Sequence, residues 1–194
     1  MRTLILCLGN EIVSDDGIGA RAGRFLQSLP LPSDIRVVLV PRLGLDLLDQ
    51  LAEVEHLVIV DGLTAEAHPG TCTVVDVTEH SPAVVASGCC HVREVRDIIQ
   101  SARDLSPEGA ACTITIAGVR VEHVQHVEHY GAEFSHAVLS AIPRLVDLLL
   151  LTTGAELKLR LLAAELLRPN PRPARAATMT VGWRTTGAQA VVLQ

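Results

Sequence analysis

Apolar positions along the chain fall into short unbroken runs, separated by longer stretches in which they recur with helical spacing. Residues 2–8 (RTLILCL) form a continuous apolar run of the kind expected for a strand buried on both faces. Residues 35–40 (IRVVLV) and 56–61 (HLVIVD) read as a second and a third strand, the third closing on Asp61 and Gly62. Residues 71–77 (TCTVVDV) alternate more, which predicts a fourth strand nearer an edge, and residues 112–119 (CTITIAGV) predict a fifth. Between these runs, Ser14, Asp15 and Asp16 offer N-cap chemistry for a helix over 16–29, which Pro30 and Pro32 would end. A short helix is predicted over 44–53 through Leu45, Leu47, Leu48 and Leu51, and another over 91–104 with Val92, Val95, Ile98 and Ile99 on one face. The longest covers 133–151 and contains Pro143, where a kink is expected.

Strands alternating with helices predict a three-layer α/β/α fold: a mostly parallel, twisted sheet of about five strands flanked by helices. The domain should occupy residues 1–151. Residues 152–194 read as an extension, a short helix over 155–167 and then a basic, proline-rich tail. Arg168, Arg172, Arg175 and Arg184 lie in that tail with no acid among residues 168–194. A chain of 194 residues that is 48% hydrophobic can bury a sizeable core, and a net charge of −6 argues against a dedicated nucleic-acid binder. No apolar stretch is long enough to predict a membrane span, and Met1 leads into the first strand without a signal-peptide pattern, so the cytoplasm is the expected compartment. The five cysteines show no CxxC spacing, as expected of free thiols in a reducing compartment rather than of a disulfide scaffold or a structural zinc site.

In open parallel sheets, sites form where the loops gather at the carboxyl ends of the strands. That rule singles out Asn10, Glu11, Ser14, Asp15 and Asp16 after the first strand, Asp61 at the end of the third, and His91 after the fourth. Asp16, Asp61 and His91 would meet at one sheet edge. Two carboxylates and an imidazole suit a borderline divalent ion such as zinc or nickel with coordination positions left open. The same set also suits a carboxylate–histidine acid–base pair without metal. Each residue has a structural reading as well. Asp15 and Asp16 can simply open a helix, and both roles coexist if Asp15 caps while Asp16 faces the cleft. Cys89 and Cys90 beside His91 offer a soft ligand. His123, His126 and His129, interleaved with Glu122 and Glu128, look like metal ligands but lie in a polar stretch that reads as a solvated loop. Gly9, Gly17 and Gly19 lack the GxGxxG spacing of a dinucleotide loop, and two aspartates stand where a pyrophosphate would need amides.

The run GNEIVSDDGIG at 9–19, directly after an N-terminal strand, resembles the GN-x4-DDGxG signature of hydrogenase maturation proteases. HLVIVDGL at 56–63, His91, Ala117-Gly118-Val119, and the stretch from Tyr130-Gly131 to Ile142 are similar to further family features in the same order, so the resemblance covers about residues 2–151. It implies an aspartyl-endopeptidase-like enzyme that trims the C-terminus of the large subunit of a nickel–iron hydrogenase. It also implies that nickel arrives with that immature subunit, another divalent cation being able to occupy the site in isolation. Asp16, Asp61 and His91 would be the metal-contacting and catalytic positions. Asn10, Asp15, Gly17 and Gly19 would form the substrate loop, the glycines letting a peptide backbone approach. The partner would be the large subunit alone, engaged by a monomer.

The sequence departs from the family pattern after the second strand, where Leu39-Val40-Pro41-Arg42 stands in place of an acidic residue found in some relatives. Two other functions therefore remain open on the same scaffold. One is a non-catalytic chaperone for the nickel-loaded subunit, and the other a generic metallopeptidase.

Overall fold

The computed structural model describes residues 2–40, 47–51, 54–64, 66–77, 88–89, 91, 95–97, 100, 113–122 and 133–155. Its five strands are β1 (Thr3–Leu8), β2 (Ile35–Val40), β3 (His56–Leu63), β4 (Cys72–Asp76) and β5 (Thr113–Arg120). They form one sheet in the order β2-β1-β3-β5-β4, with β1, β2, β3 and β5 parallel and β4 antiparallel to β5. The expected edge position of the fourth strand is thus observed. Its antiparallel direction agrees with the mostly parallel sheet expected, although alternation reports exposure and did not single out which strand would run the other way.

β1 and β3 are buried throughout, and their odd and even positions serve two different cores. Ile5 and Cys7 of β1 with Val58 and Val60 of β3 pack under α1 (Ile18–Gln27) and a C-terminal helix, α3 (His136–Thr152). Leu4, Leu6 and Leu8 with Leu57, Ile59 and Leu63 form the second core, which includes Leu47, just before the short helix α2 (Leu48–Leu51), Val77, Cys89 and Val95. Two cores on opposite faces of one sheet make the three layers. Asp61 occupies a position in the Leu57, Ile59, Leu63 row that would otherwise take another apolar side chain.

The order β2-β1-β3 means that the chain leaves β1 toward one side for β2 and returns on the other side for β3. The carboxyl ends of β1 and β3 therefore flank a switch point, the position where open α/β sheets leave a crevice. Helix α3 is capped by Ser135, whose side chain accepts from Val138 N, and it continues through the exposed Pro143 to Thr152. Of the helix expected over 91–104, residues 95–97 and 100 are described and helical. The expected elements over 155–167 and the tail beyond fall outside the described residues, apart from Ala155.

Candidate active site

The segment joining β1 to α1 does not start a helix at Asp16. Ser14–Gly17 form a 3-10 turn, α1 begins at Ile18, and neither Val13 nor Gly17 provides a side-chain cap. The acidic residues are used over longer distances. Asp15, fully buried, accepts from Ser135 N at 2.7 Å and from Glu122 N at 3.2 Å, so it ties this turn to the start of α3 and the end of β5. Ser14 takes a left-handed φ of 46° and donates from Oγ to the carbonyl of Glu133 at 2.7 Å. Asp16 is 1% exposed, and its Oδ2 accepts from Asn10 N at 3.1 Å, while Asn10 Oδ1 accepts from Ile12 N at 3.0 Å. Glu11 faces α1 and pairs with Arg24 at 2.6 Å.

The glycines of this segment let the chain fold against itself. Gly9 has φ +114°, and a β-carbon there would lie 2.0 Å from the carbonyl oxygen of Asp16. At Gly19 it would lie 2.2 Å from the Leu8 carbonyl and 2.5 Å from that of Val60, which seats α1 directly over the ends of β1 and β3. At Gly17 it would meet the backbone of Glu11 at 2.5 Å. At Gly17 and Gly19 the direction of a β-carbon is filled by the chain's own backbone, so these glycines serve the packing of the turn.

The second half of the site is built on β3. Asp61 is fully buried and surrounded by donors. Its Oδ1 accepts from Gly62 N at 2.8 Å, and its Oδ2 from His91 N at 3.0 Å and from Cys89 Sγ at 2.8 Å. His91 Nδ1 lies 3.1 Å from both carboxylate oxygens. An ionised carboxylate only accepts, so Nδ1 carries the proton and the lone pair is on Nε2. The His91 side chain is 12% exposed, against 0% for Asp61, so the pair runs from the interior toward the surface. The Cys89 segment is fastened to the end of β3 by an antiparallel bridge between Leu63 and Cys89, and Thr64 N donates to the Gly88 carbonyl at 2.6 Å.

Of the residues singled out in the sequence, Asp61 and His91 are in contact, and Asp16 lies on the turn that packs against β3. Among the described residues, no three His, Cys, Asp or Glu side chains are grouped so as to hold a metal ion by themselves. Asp15 is drawn away toward Glu122 and Ser135, and Asn10 shapes the loop and holds Asp16. His123, His126, His129, Glu128, Cys90 and the segment Pro41-Arg42 fall outside the described residues. Of two further contributors, Cys89 had been offered as a soft ligand and Arg120 had drawn no role. The Cys89 thiol is bonded to Asp61, and its place just before His91 was the available signal. Arg120, in register with Leu63, brings a guanidinium to the carboxyl end of β5, where it donates to the Val121 carbonyl. A cation closing a buried strand was its signal.

This arrangement has relatives. The sequence profile described as hydrogenase maturation protease matches residues 34–152. The hydrogenase 2 maturation protease of Escherichia coli is 29% identical over 106 residues, which are 53% of this chain and 64% of that protein. The chain thus matches somewhat less than two thirds of that relative's length. Among solved structures, the E. coli hydrogenase-maturating endopeptidase HybD superposes with a TM-score of 0.66 at 24% identity, covering 78% of this chain and 91% of the other. The nickel–iron hydrogenase maturation protease HybD of Thermococcus kodakarensis gives a TM-score of 0.62 at 24% identity, covering 80% and 99%. These two superpositions speak to the fold, which is the expected five-stranded α/β/α arrangement.

Proposed function

Because the chain belongs to the hydrogenase maturation protease family, we propose that it is an endopeptidase that removes a short C-terminal peptide from the nickel-loaded large subunit of a nickel–iron hydrogenase. Water adds across one peptide bond, leaving a new carboxylate on the subunit and a free amine on the released peptide. The observation that carries this reading is the buried Asp61 holding His91 by Nδ1 at the carboxyl edge of the sheet. A histidine oriented in this way offers its Nε2 lone pair outward, the carboxylate behind it fixing the ring's orientation.

Nickel enters in this account as part of the substrate. An ion already held by the immature subunit needs only a few further contacts: the outward Nε2 of His91 is placed to make one, and Asp61 and Asp16, the other two positions assigned to the ion, would have to exchange present internal donors to make theirs. Binding at the ion would fix the subunit's C-terminal segment across the crevice between the ends of β1 and β3, so the ion acts as a template. In the isolated protein another divalent cation would bind the same groups only weakly.

The test is the mass of the large subunit after incubation with this protein, with and without nickel loading. Loss of a defined C-terminal peptide only from the nickel-loaded sample is expected. An unchanged mass in a persistent complex would replace the protease by a chaperone for the loaded subunit. Asp16→Ala, Asp61→Ala and His91→Ala should each abolish processing.

A further inference from the structure

We propose that Cys89 is a positioning residue of this site: its thiol holds Asp61 Oδ2, and through Asp61 it sets the ring of His91. The inference rests on the protease reading for its kinetic consequence, though not for its geometry.

A carboxylate inside an apolar core keeps one orientation only if donors hold both of its oxygens. Oδ1 of Asp61 has Gly62 N at 2.8 Å, a donor fixed by the strand itself. Oδ2 has His91 N at 3.0 Å and Cys89 Sγ at 2.8 Å. The His91 amide moves with the residue whose ring must be held, so of these two only the thiol is an independent anchor. Cys89 is itself firmly placed. It is 4% exposed, bridged to Leu63, and preceded by Gly88, whose φ of +66° turns the chain back so that its carbonyl meets both the amide and the hydroxyl of Thr64, at 2.6 and 3.0 Å.

A thiol suits this place because it packs as a small apolar group among Leu63, Val95 and Ile59 while keeping one weak donor. Without it, Oδ2 keeps only the His91 amide, which moves with the residue to be held, so the carboxylate is held less firmly against rotation about its terminal torsion. The His91 ring would then lose the simultaneous 3.1 Å approach to both oxygens that fixes its tautomer. Simple packing of a small side chain would have none of these consequences, so the two accounts separate by experiment.

The test compares Cys89→Ala, which removes the donor, with Cys89→Ser, which keeps one, using Cys72→Ala as a thiol control packed on the opposite face of the sheet. Processing of the nickel-loaded large subunit should show kcat lowered about tenfold in Cys89→Ala with KM little changed, within the range seen when a partner of an active-site histidine is lost. Cys89→Ser should recover most of that loss, and Cys72→Ala should match the parent. In parallel, nitrogen-15 spectra of the full-length protein alone should show His91 as the Nδ1–H tautomer in the parent and in Cys89→Ser, and as a tautomer mixture in Cys89→Ala. Unchanged kcat and tautomer in Cys89→Ala would overturn the proposal, as would equal loss in the alanine and serine variants. If the parent protein processes nothing, the protease reading has failed, and the spectra still decide whether Cys89 sets His91.

Discussion

Asp15 and Asp61 are both fully buried carboxylates near the carboxyl edge of the same sheet, and they serve different purposes. Asp15 accepts from the amides of Glu122 and Ser135, which have no chemistry of their own, and so binds the β1–α1 segment to α3 and β5. Asp61 accepts from two amides, a thiol and an imidazole, and the imidazole reaches the surface. Burial alone does not distinguish a structural carboxylate from a functional one. The identity of the donors does, because only a titratable donor lets a buried charge influence what happens outside.

The contrast can be broken most severely at His91. In His91→Ala, processing should fall by at least roughly a hundredfold, the usual scale for a positioned acid–base or ligating group, while circular dichroism and Tm stay close to the parent. A large drop in Tm with activity preserved per folded molecule would put His91 in the structural class with Asp15.

The next effect belongs to the scaffold. Gly19→Ala forces a β-carbon against the carbonyls of Leu8 and Val60, both backbone atoms that cannot step aside. It should cost about 3 kcal/mol, the upper part of the usual overpacking range, measured by urea unfolding. Asp15→Ala should follow at about 2 kcal/mol, or roughly 4–8 °C in Tm, from two amides losing a charged acceptor. In both variants the rate per folded molecule should hold.

The smallest effect lies at the opposite end of the sheet. His56 is 5% exposed at the start of β3, with Nε2 3.1 Å from Thr115 Oγ1. Burial lowers its pKa from the ordinary 6.5, opposed by the charge of Asp76. A depressed value means that the unfolded chain takes up a proton before the folded one does. Stability is then intact above pH 6.5 and declines as the pH falls from there through the folded value. His56→Gln should flatten that part of a Tm-against-pH curve. Processing is expected to keep its own pH profile, because His56 lies at the amino edge and His91 at the carboxyl edge.

Much of this was legible in the sequence. The runs at 2–8, 35–40 and 56–61 became β1, β2 and β3 almost residue for residue; β1 and β3 are buried on both faces and so apolar at consecutive positions, while β2 is a partly exposed edge strand whose β-branched run was still sufficient signal. Asp61 stood out for the converse reason, since a carboxylate ending such a run needs partners, and His91, on the loop after the fourth strand, was read as reaching the same sheet edge. The β1–α1 segment was misread at the helix start. Ser14, Asp15 and Asp16 have the composition of a cap, but the donors that Asp15 satisfies lie 107 and 120 residues away. Local pattern carries no trace of such partners. Cys89 was legible as a sulfur beside His91, but its bond to Asp61 was hidden in the same way, since that partner lies 28 residues away.

The most direct test is to measure processing of the nickel-loaded large subunit by Asp61→Asn and Asp15→Asn side by side, at a temperature where both remain folded. Each change removes one negative charge and keeps the side-chain size. The account predicts that both variants lose Tm, each leaving buried donors without a charged acceptor, but that only Asp61→Asn loses at least about a hundredfold in rate per folded molecule, while Asp15→Asn keeps its rate. An Asp61→Asn protein that processes normally, or an Asp15→Asn protein that is folded but inactive, would contradict it.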